Sequence, residues 1–134
     1  MKLLYILFFL GLFTSCSTTK VIEPKGYQSF KIIKIDTAKY KYNNIFYAKR
    51  EGAIYKIVTK KEYIEPCRTV EKGKTYKLLI ESTFPSMILN RLDFGGRGMY
   101  EKETIEFEGG NIIWDLFITS DIKGTCYIPE ENKN

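Results

Sequence analysis

The segment IFYAKREGAIYKIVT, residues 45–59, holds two apolar and aromatic runs on either side of Glu51 and Gly52. Aromatic and β-branched residues favour strands, and glycine supplies the positive φ that a tight turn needs, so the segment predicts a β-hairpin. In the second arm, alternation places Ala53, Tyr55, Ile57 and Thr59 on one face and Ile54, Lys56 and Val58 on the other.

Strand patterns also flank the hairpin. Residues 30–42, FKIIKIDTAKYKY, alternate apolar residues with lysine, and the adjacent Ile32 and Ile33 break that alternation, which predicts a β-bulge or a two-sided strand. The pair Asn43 and Asn44 predicts a turn. After the hairpin, the polar residues 60–70 predict a loop. Residues 75–82 predict a further strand with one apolar face, formed by Tyr76, Leu78 and Ile80.

The last third of the chain mixes two patterns. Residues 85–92, PSMILNRL, begin with a proline suited to a first helical turn and predict a short helix. Residues 111–121, NIIWDLFITSD, fit either a helix capped by Asn111 or a strand with Trp114, Leu116 and Ile118 facing inward. Their β-branched and aromatic content favours the strand. Residues 103–108 alternate and predict a strand, and residues 124–128 a short one. Four carboxylates are interpreted as the polar side of an edge strand: Glu101, Glu103, Glu106 and Glu108.

Five to seven short strands with one or two short helices predict a mainly β, small single-domain, partly closed β-barrel over residues 27–129, followed by a polar tail at 130–134. Closure is how a small all-β domain avoids exposed edges. A five-stranded, OB-like barrel with a helix between its third and fourth strands is one candidate, and an eight-stranded arrangement is another.

The N-terminal sequence predicts where the protein is located in the cell. Lys2 precedes eleven residues, 3–13, that carry no charge. A membrane-spanning helix needs about 20 such residues, whereas the apolar part of a secretory signal has roughly 7–15. Residues 12–16, LFTSC, resemble a bacterial lipobox, in which an apolar residue and then a small one precede an obligatory cysteine. The resemblance implies that the signal peptide 1–15 is removed and that Cys16 is lipidated on its sulfur and acylated on its new amine.

Lipidation would replace the discarded apolar segment as the membrane attachment, because two or more acyl chains anchor a protein stably whereas one does so reversibly. Residues 16–26 then form the lipidated cysteine and a polar tether containing Pro24 and Gly26. The expected location is the bacterial cell envelope, on the outer membrane in preference to the inner one, facing the periplasm or the surface. The lipid membrane is accordingly the first predicted partner.

Export past the inner membrane reaches an oxidising compartment, which favours a disulfide between Cys67 and Cys126. Such a bridge closes a loop of about 60 residues and is worth about 4 kcal/mol in the chain-entropy model. The alternative is a pair of unlinked buried thiols. The spacing excludes a CxxC redox centre, and no metal or other cofactor is expected.

Charge divides the chain into two parts. Residues 20–77 hold 15 basic and 6 acidic residues, a net of +9, and residues 78–134 hold 5 and 10, a net of −5. One interpretation is that basic strands lie beside acidic ones and form cross-strand pairs. The other is a dipolar surface whose basic face meets lipid phosphates or an acidic partner.

The chain has no histidine, which excludes Ser-His and Cys-His nucleophile systems and imidazole metal sites, so an enzyme is not expected. Tyr40, Tyr42 and Tyr47 alternate with lysines and are candidates for binding a glycan or an envelope protein. Alternatively, they cover a sheet face. Nucleic acid is not expected as a partner of an exported, tethered protein.

Residues 95–100, GGRGMY, are similar to the Ser-Gly-Ala-Arg-Tyr-like loop of exported lipoproteins that inhibit c-type lysozymes, although Gly98 and Met99 separate Arg97 from Tyr100. Two hypotheses follow. The first is a non-enzymatic envelope lipoprotein with a binding or structural role and an unknown ligand. The second is an envelope-displayed inhibitor of a lysozyme-like hydrolase, in which Arg97 would make the inhibitory contact and Tyr100 is a further candidate binding residue.

Overall fold

The computed structural model describes residues 26–83, 97–100 and 102–133. The described residues form a mainly β domain, as predicted, and their helical element is a single 3₁₀ turn at Glu130–Asn132. The predicted signal peptide, Cys16 and the predicted helix at 85–92 lie outside the described residues. The strands are β1 (Gln28–Asp36), β2 (Asn43–Arg50), β3 (Ala53–Lys60), β4 (Thr75–Leu78), β5 (Ile80–Ser82), β6 (Arg97–Tyr100), β7 (Glu103–Glu106), β8 (Phe117–Thr119), β9 (Ile122–Lys123) and β10 (Cys126–Tyr127).

The predicted hairpin is confirmed. Strands β2 and β3 pair antiparallel over their full length, ending at Arg50 opposite Ala53. Glu51 and Gly52 form the two-residue turn, with φ values of 50° and 79°. Positive φ at both turn residues matches the right-handed twist of the two strands, which is why short hairpins favour it.

The predicted bulge is also confirmed. Strand β1 pairs antiparallel with β2, and the register shifts between Ile32 and Lys34, so that Ile33 is the extra residue. Ile32 is fully buried in one apolar cluster, whereas Ile33 packs against another on the opposite side of the sheet. The bulge therefore allows two adjacent isoleucines to serve two cores.

The turn predicted at Asn43 and Asn44 is wrong, because both residues begin β2 and are buried. The amide nitrogen of the Asn43 side chain is satisfied inside the fold, whereas its Oδ1 is buried without a hydrogen-bond partner among the described residues. Its Nδ2 donates to the backbone oxygen of Tyr100 at 3.2 Å and to Glu103 Oε2 at 2.9 Å. Because these hydrogen bonds lower the cost of burying the Asn43 amide, the residue can lie in a strand instead of a solvent-exposed turn.

The main sheet closes on itself through one interrupted strand. Its order is β4-β1-β2-β3-β8-β5, so β4 and β5 are its two edges. Only Leu79 separates β4 from β5 along the chain, and β3 runs parallel to β8 through Ile57 and Phe117. The sheet is therefore a strongly curled, partly closed barrel. Its strand order is OB-like, but residues 61–74 between β3 and β4 form a loop instead of a helix, consistent with their polar, proline-containing sequence.

Two apolar cores lie on the two sides of the curled sheet. The hairpin of β6 and β7, together with residues 107–118, covers the outer face of β2 and β3. Both faces of the β2–β3 hairpin are therefore buried. The inner core consists of Phe30, Ile32, Phe46, Ala48, Tyr55, Ile57, Val70, Tyr76, Leu78, Ile80, Phe117 and Ile122. The outer core consists of Ile45, Tyr47, Val58, Ile105, Phe107 and Leu116.

Residues 111–121 contain a short strand, β8, and the predicted inward face is partly wrong. Leu116 and Ile118 pack in the outer core as predicted, but Phe117 is buried in the inner one. Trp114 does not face inward. It is 52% exposed, and its ring centroid lies 5.5 Å from that of Phe107. A strand between two cores buries both of its faces, so alternation alone does not say which side is apolar.

The C-terminal part of the domain is tied to the barrel by a disulfide and an ion pair. Cys67 and Cys126 lie at disulfide distance with their Cα atoms 5.2 Å apart, and the predicted bridge joins the 61–74 loop to β10. Lys133, in the predicted polar tail, pairs with the buried Asp121. No helix among the described residues is long and apolar enough to cross a bilayer.

Candidate functional site

The structure separates the tyrosines that were predicted as binding residues. Tyr47 is 6% exposed in the outer core, so it covers a sheet face, and Tyr40 packs partly buried against the same core. Tyr100 also packs there, at the end of β6. Tyr42 differs, because its side chain is 40% exposed. Of the four predicted tyrosines, Tyr42 is the one that presents its ring to solvent.

Arg97 begins β6 and pairs with Glu106 across the β6–β7 ladder, which runs to Tyr100 opposite Glu103. The segment that resembles a lysozyme-inhibitor loop is therefore a paired strand from Arg97 onward. Gly95, Gly96 and the side chain of Arg97 lie outside the described part of the chain. The inhibitor hypothesis stays a prediction.

Glu103 fixes the connection between β1 and β2. Its Oε1 accepts the backbone N–H of Lys41 at 2.5 Å, and its Oε2 accepts the backbone N–H of Tyr42 at 2.9 Å. The same Oε2 accepts Nδ2 of Asn43. A carboxylate that accepts three N–H groups is a strong local anchor. The exposed Tyr42 is therefore held in place by a residue 61 positions later in the chain.

Lys61 also fixes the connection between β1 and β2. Its backbone N–H donates to the carbonyl oxygen of Tyr42 at 2.8 Å, and its Nζ donates to the carbonyl oxygen of Tyr40 at 2.6 Å. Both backbone groups of Tyr42 are thus occupied, one by Glu103 and one by Lys61. The backbone that carries the Tyr42 ring is therefore fixed by hydrogen bonds at both its N–H and its carbonyl group.

A lysine-lined pocket of about 250 Å³ surrounds this ring. Two of its ammonium groups face the tyrosine, since Nζ of Lys41 and of Lys102 lie 5.2 and 5.9 Å from the ring centroid, within cation–π range. Three separate segments of the chain contribute the positive charges, and the lining residues that the structure describes include no acidic one. We call this site the lysine pocket, and its lining residues are Lys41, Tyr42, Lys60, Lys61 and Lys102.

The chemistry of the lysine pocket suits an anion. Ammonium groups donate charge-assisted hydrogen bonds to phosphate and carboxylate oxygens. An exposed aromatic face offers apolar contact area to a ring-shaped ligand, with the hydroxyl at its edge as a polar group. Glu103 adjoins the pocket through its hydrogen bonds to the backbone of Lys41 and Tyr42, and its single negative charge leaves an excess of positive charge among the four lysines.

A second polar cluster lies between the sheet and the hairpin that covers it. Lys56 is 1% exposed, and its Nζ donates to the backbone oxygen of Glu106 and to Glu108 Oε2, each at 2.8 Å. The hydroxyl of Tyr47 donates to the same Oε2 at 2.7 Å. The cluster connects β2 and β3 to the chain that follows β7.

The electrostatics of this cluster favour a charged Glu108 and a neutral Tyr47. Burial raises the pKa of Glu108, but the hydrogen bonds from Lys56 and Tyr47 outweigh burial, and the net pKa is below its ordinary value. Burial, followed by the hydrogen bond to Glu108, raises the pKa of Tyr47 well above that of a free tyrosine. The cluster is a structural clamp that holds the covering hairpin over the outer core.

Glu103 and Glu108 are the residues that the sequence interpretation missed, because both had been taken as the solvent face of an edge strand. The available signal was Lys56, which lies between Ile54 and Val58 on one apolar face of β3. A lysine on a buried face needs a carboxylate partner, and so predicts one elsewhere in the chain.

Comparison of the chain with protein-family models, with curated proteins and with solved structures finds no match in any of the three. Among the described residues, no three or more Asp, Glu or Cys side chains group so that they could hold a metal ion. The assignment of a function therefore rests on the residues of this chain, above all on the lysine pocket and on the sequence at 12–16.

Proposed function

We propose that the protein is a lipid-anchored protein of the bacterial cell envelope with a non-enzymatic binding role. The observation that carries the proposal is the sequence LFTSC at residues 12–16, placed directly behind one positive charge and an uncharged apolar run. The order of charge, apolar run, small residues and cysteine is what export and lipidation at Cys16 require. The domain itself would then face the aqueous side of the membrane.

The lysine pocket supports the binding part of the proposal. It gathers four ammonium groups around an exposed ring that is fixed through both of its backbone groups. Envelope surfaces are rich in anionic groups, to which a cationic patch is attracted over about a Debye length. A ten-residue tether, 17–26, would let the domain reach anionic groups up to about 35 Å from its anchor.

Metabolic labelling with a palmitate analogue tests the anchor in the full chain produced in a bacterium. We expect the wild type to be labelled and to fractionate with membranes, whereas Cys16→Ala is unlabelled. Ser17→Ala is the matched control, because it changes the neighbouring residue but keeps the cysteine, and it should label like the wild type. Equal labelling of the wild type and Cys16→Ala contradicts the proposed function.

A further inference from the structure

We propose that the lysine pocket binds an anionic saccharide, with a sugar ring stacked on Tyr42 and its phosphate or carboxylate held by the surrounding lysines. This inference deepens the proposed function and rests on its binding role. It goes further because it names the chemical class of the ligand and the residues that recognise each part of it.

The aromatic part of the site is the exposed ring of Tyr42. Two ammonium groups, 5.2 and 5.9 Å from the ring centroid, attract the ring at the surface, and these exposed cation–π contacts are weak enough for a stacked ligand to replace. Its backbone is held by Glu103 on one side and by Lys61 on the other. A fixed ring loses less conformational entropy when a ligand stacks on it, and pre-organisation of this kind increases affinity.

The cationic part of the site comes from four lysines, and no acidic residue of the described chain lines the pocket with them. Four ammonium groups of like charge repel one another, and a bound anion relieves that repulsion. Lys61 already donates one N–H to the carbonyl oxygen of Tyr40, which orients its ammonium group and leaves two further donors. Lys60 and Lys102 supply charge from β3 and from the β6–β7 turn.

The size and the mixed lining favour a sugar over a bare anion. About 250 Å³ lies just below the usual range for small-molecule sites, roughly 300–1,000 Å³, so the pocket suits a single sugar unit at the surface. Inorganic phosphate would engage the lysines and leave Tyr42 unused, whereas an anionic saccharide uses both parts. Nucleic acid also combines stacking with phosphate, but the proposed envelope location favours the saccharide.

A titration followed by ¹H–¹⁵N NMR tests the ligand class on the full-length lipidated protein in micelles of a neutral detergent. The probes are glucose 6-phosphate, glucuronate, glucose, inorganic phosphate and a short oligothymidylate. We expect the amide signals of Tyr42 and Lys61 to shift with at least one anionic sugar, with an affinity about tenfold tighter than for glucose or inorganic phosphate. The stronger of the two anionic sugars identifies phosphate or carboxylate as the preferred group.

Variants separate the two parts of the site. Tyr42→Ala should weaken the anionic sugar about tenfold and leave inorganic phosphate unchanged, whereas Tyr42→Phe keeps the ring and the sugar affinity. Lys60→Gln combined with Lys102→Gln should weaken every anion about tenfold. Lys72→Gln removes an exposed lysine that is not in the pocket lining and should bind like the wild type. Circular dichroism confirms that each variant is folded.

Three results overturn the inference. They are an absence of shifts with both anionic sugars, an inorganic phosphate affinity equal to theirs, or a tighter complex with an oligothymidylate than with either sugar. Labelling of Cys16 reports the anchor and the titration reports the pocket. A failure of the saccharide inference is therefore distinguishable from a failure of the proposed function.

Discussion

Asp121 Oδ2 accepts a 2.6 Å hydrogen bond from the backbone N–H of Leu79, the one residue that separates β4 from β5. The hydroxyl of Thr119 donates to the carbonyl oxygen of the same residue at 2.8 Å. Leu79 marks the point where the chain leaves β1 and joins β8. Side chains thus satisfy both of its backbone groups where no single neighbouring strand can do so. The curled sheet closes at Leu79, where Asp121 and Thr119 bind the two backbone groups.

Asp121→Ala should lower the free energy of unfolding by about 3 kcal/mol, measured by urea denaturation. The substitution leaves the N–H of Leu79 without its acceptor and removes the partner of Lys133. Thr119→Val is the comparison, since it removes the hydroxyl contacts with the carbonyl oxygen of Leu79 and with Asp121 but keeps the carboxylate, and it should cost about 1–2 kcal/mol. Equal costs for the two variants would show that the buried carboxylate does not hold the closing residue.

Glu108→Ala should destabilise the protein more than Lys56→Met does, by about 3 against about 1 kcal/mol. Without Glu108, an ammonium group that is 1% exposed keeps only the carbonyl oxygen of Glu106 as partner. The Glu108 side chain is 37% exposed in the wild type. Without Lys56, its carboxylate is therefore hydrated, and it still accepts the Tyr47 hydroxyl. Urea denaturation of both variants measures the asymmetry.

The double variant Lys56→Met with Glu108→Ala is the control for that asymmetry. Replacing both charges removes the unpaired ammonium, so the double variant should be more stable than Glu108→Ala alone. If the double variant loses the sum of the two single costs, the two side chains are not coupled and the clamp is not an ion pair.

Stability should fall as the pH is lowered from about 5, because Glu108 has a depressed pKa in the folded protein. A carboxyl group with a lowered folded pKa contributes stability above its unfolded pKa and loses it as the pH falls through the folded value. Glu108→Gln should therefore flatten the stability profile between pH 3 and 6, measured from urea midpoints at each pH. The effect is moderate, since solvent reaches part of this carboxylate.

Asp36→Asn is the comparison for the acid range. The backbone N–H of Lys39, and less so that of Ala38, lower the pKa of Asp36. That carboxylate lies in an exposed turn, where solvent screens the interaction, so the variant should leave the pH profile nearly as steep as in the wild type. A flattening equal to that of Glu108→Gln would assign the acid sensitivity to the turn instead of the clamp.

Local patterns in the sequence were sufficient for the hairpin and the bulge. Glu51 and Gly52 lie between two strand-forming arms, which predicts the hairpin. The adjacent Ile32 and Ile33 break an alternation, which predicts the bulge. Each feature is therefore determined by a few neighbouring residues. The parallel pairing of Ile57 with Phe117 is different, because it joins segments 60 residues apart and has no local signature. The interruption of one strand at Leu79 likewise depends on Asp121, which comes 42 residues later.

The lysine pocket could not be predicted for the same reason. Lys41, Lys60 and Lys102 come from three segments, and each alone is typical of a solvated surface. Tyr40, Tyr42 and Tyr47 do not share one environment, because the β2–β3 sheet is covered on both faces, which buries Tyr47. Sequence alternation shows which residues share a face, and long-range packing decides which face meets solvent.

Gly124→Ala should lower the free energy of unfolding by about 3 kcal/mol or prevent folding. Gly124 has a φ of +60°, and a Cβ atom there would lie 2.3 Å from the backbone oxygen of Glu62. Backbone atoms at this position cannot move aside cheaply, because Thr59 also donates its hydroxyl to the carbonyl oxygen of Gly124 at 2.7 Å. Thermal and urea denaturation measure the loss.

Gly73→Ala is the matched control for this close approach. Gly73 also has a positive φ, +90°, but an added Cβ there meets no atom within 4 Å. Its cost is therefore backbone strain alone, about 1–2 kcal/mol. A similar loss for both variants would show that the contact with Glu62 does not constrain the turn between β9 and β10.

Removal of the disulfide should lower the free energy of unfolding by about 4 kcal/mol, because Cys67 and Cys126 are 59 residues apart and their bridge restricts the unfolded chain. The double variant Cys67→Ala with Cys126→Ala measures this cost, and alanine avoids placing a hydroxyl at the buried Cys126. Reduced wild-type protein should have the same stability as the double variant. Alkylation of the unfolded protein should modify both cysteines only after reduction, as measured by mass. If both thiols react without reductant, the cysteines are unlinked, and the 61–74 loop is held to β10 by non-covalent contacts such as the backbone bridge between Thr69 and Cys126 and the stacking of Arg68 on Tyr127.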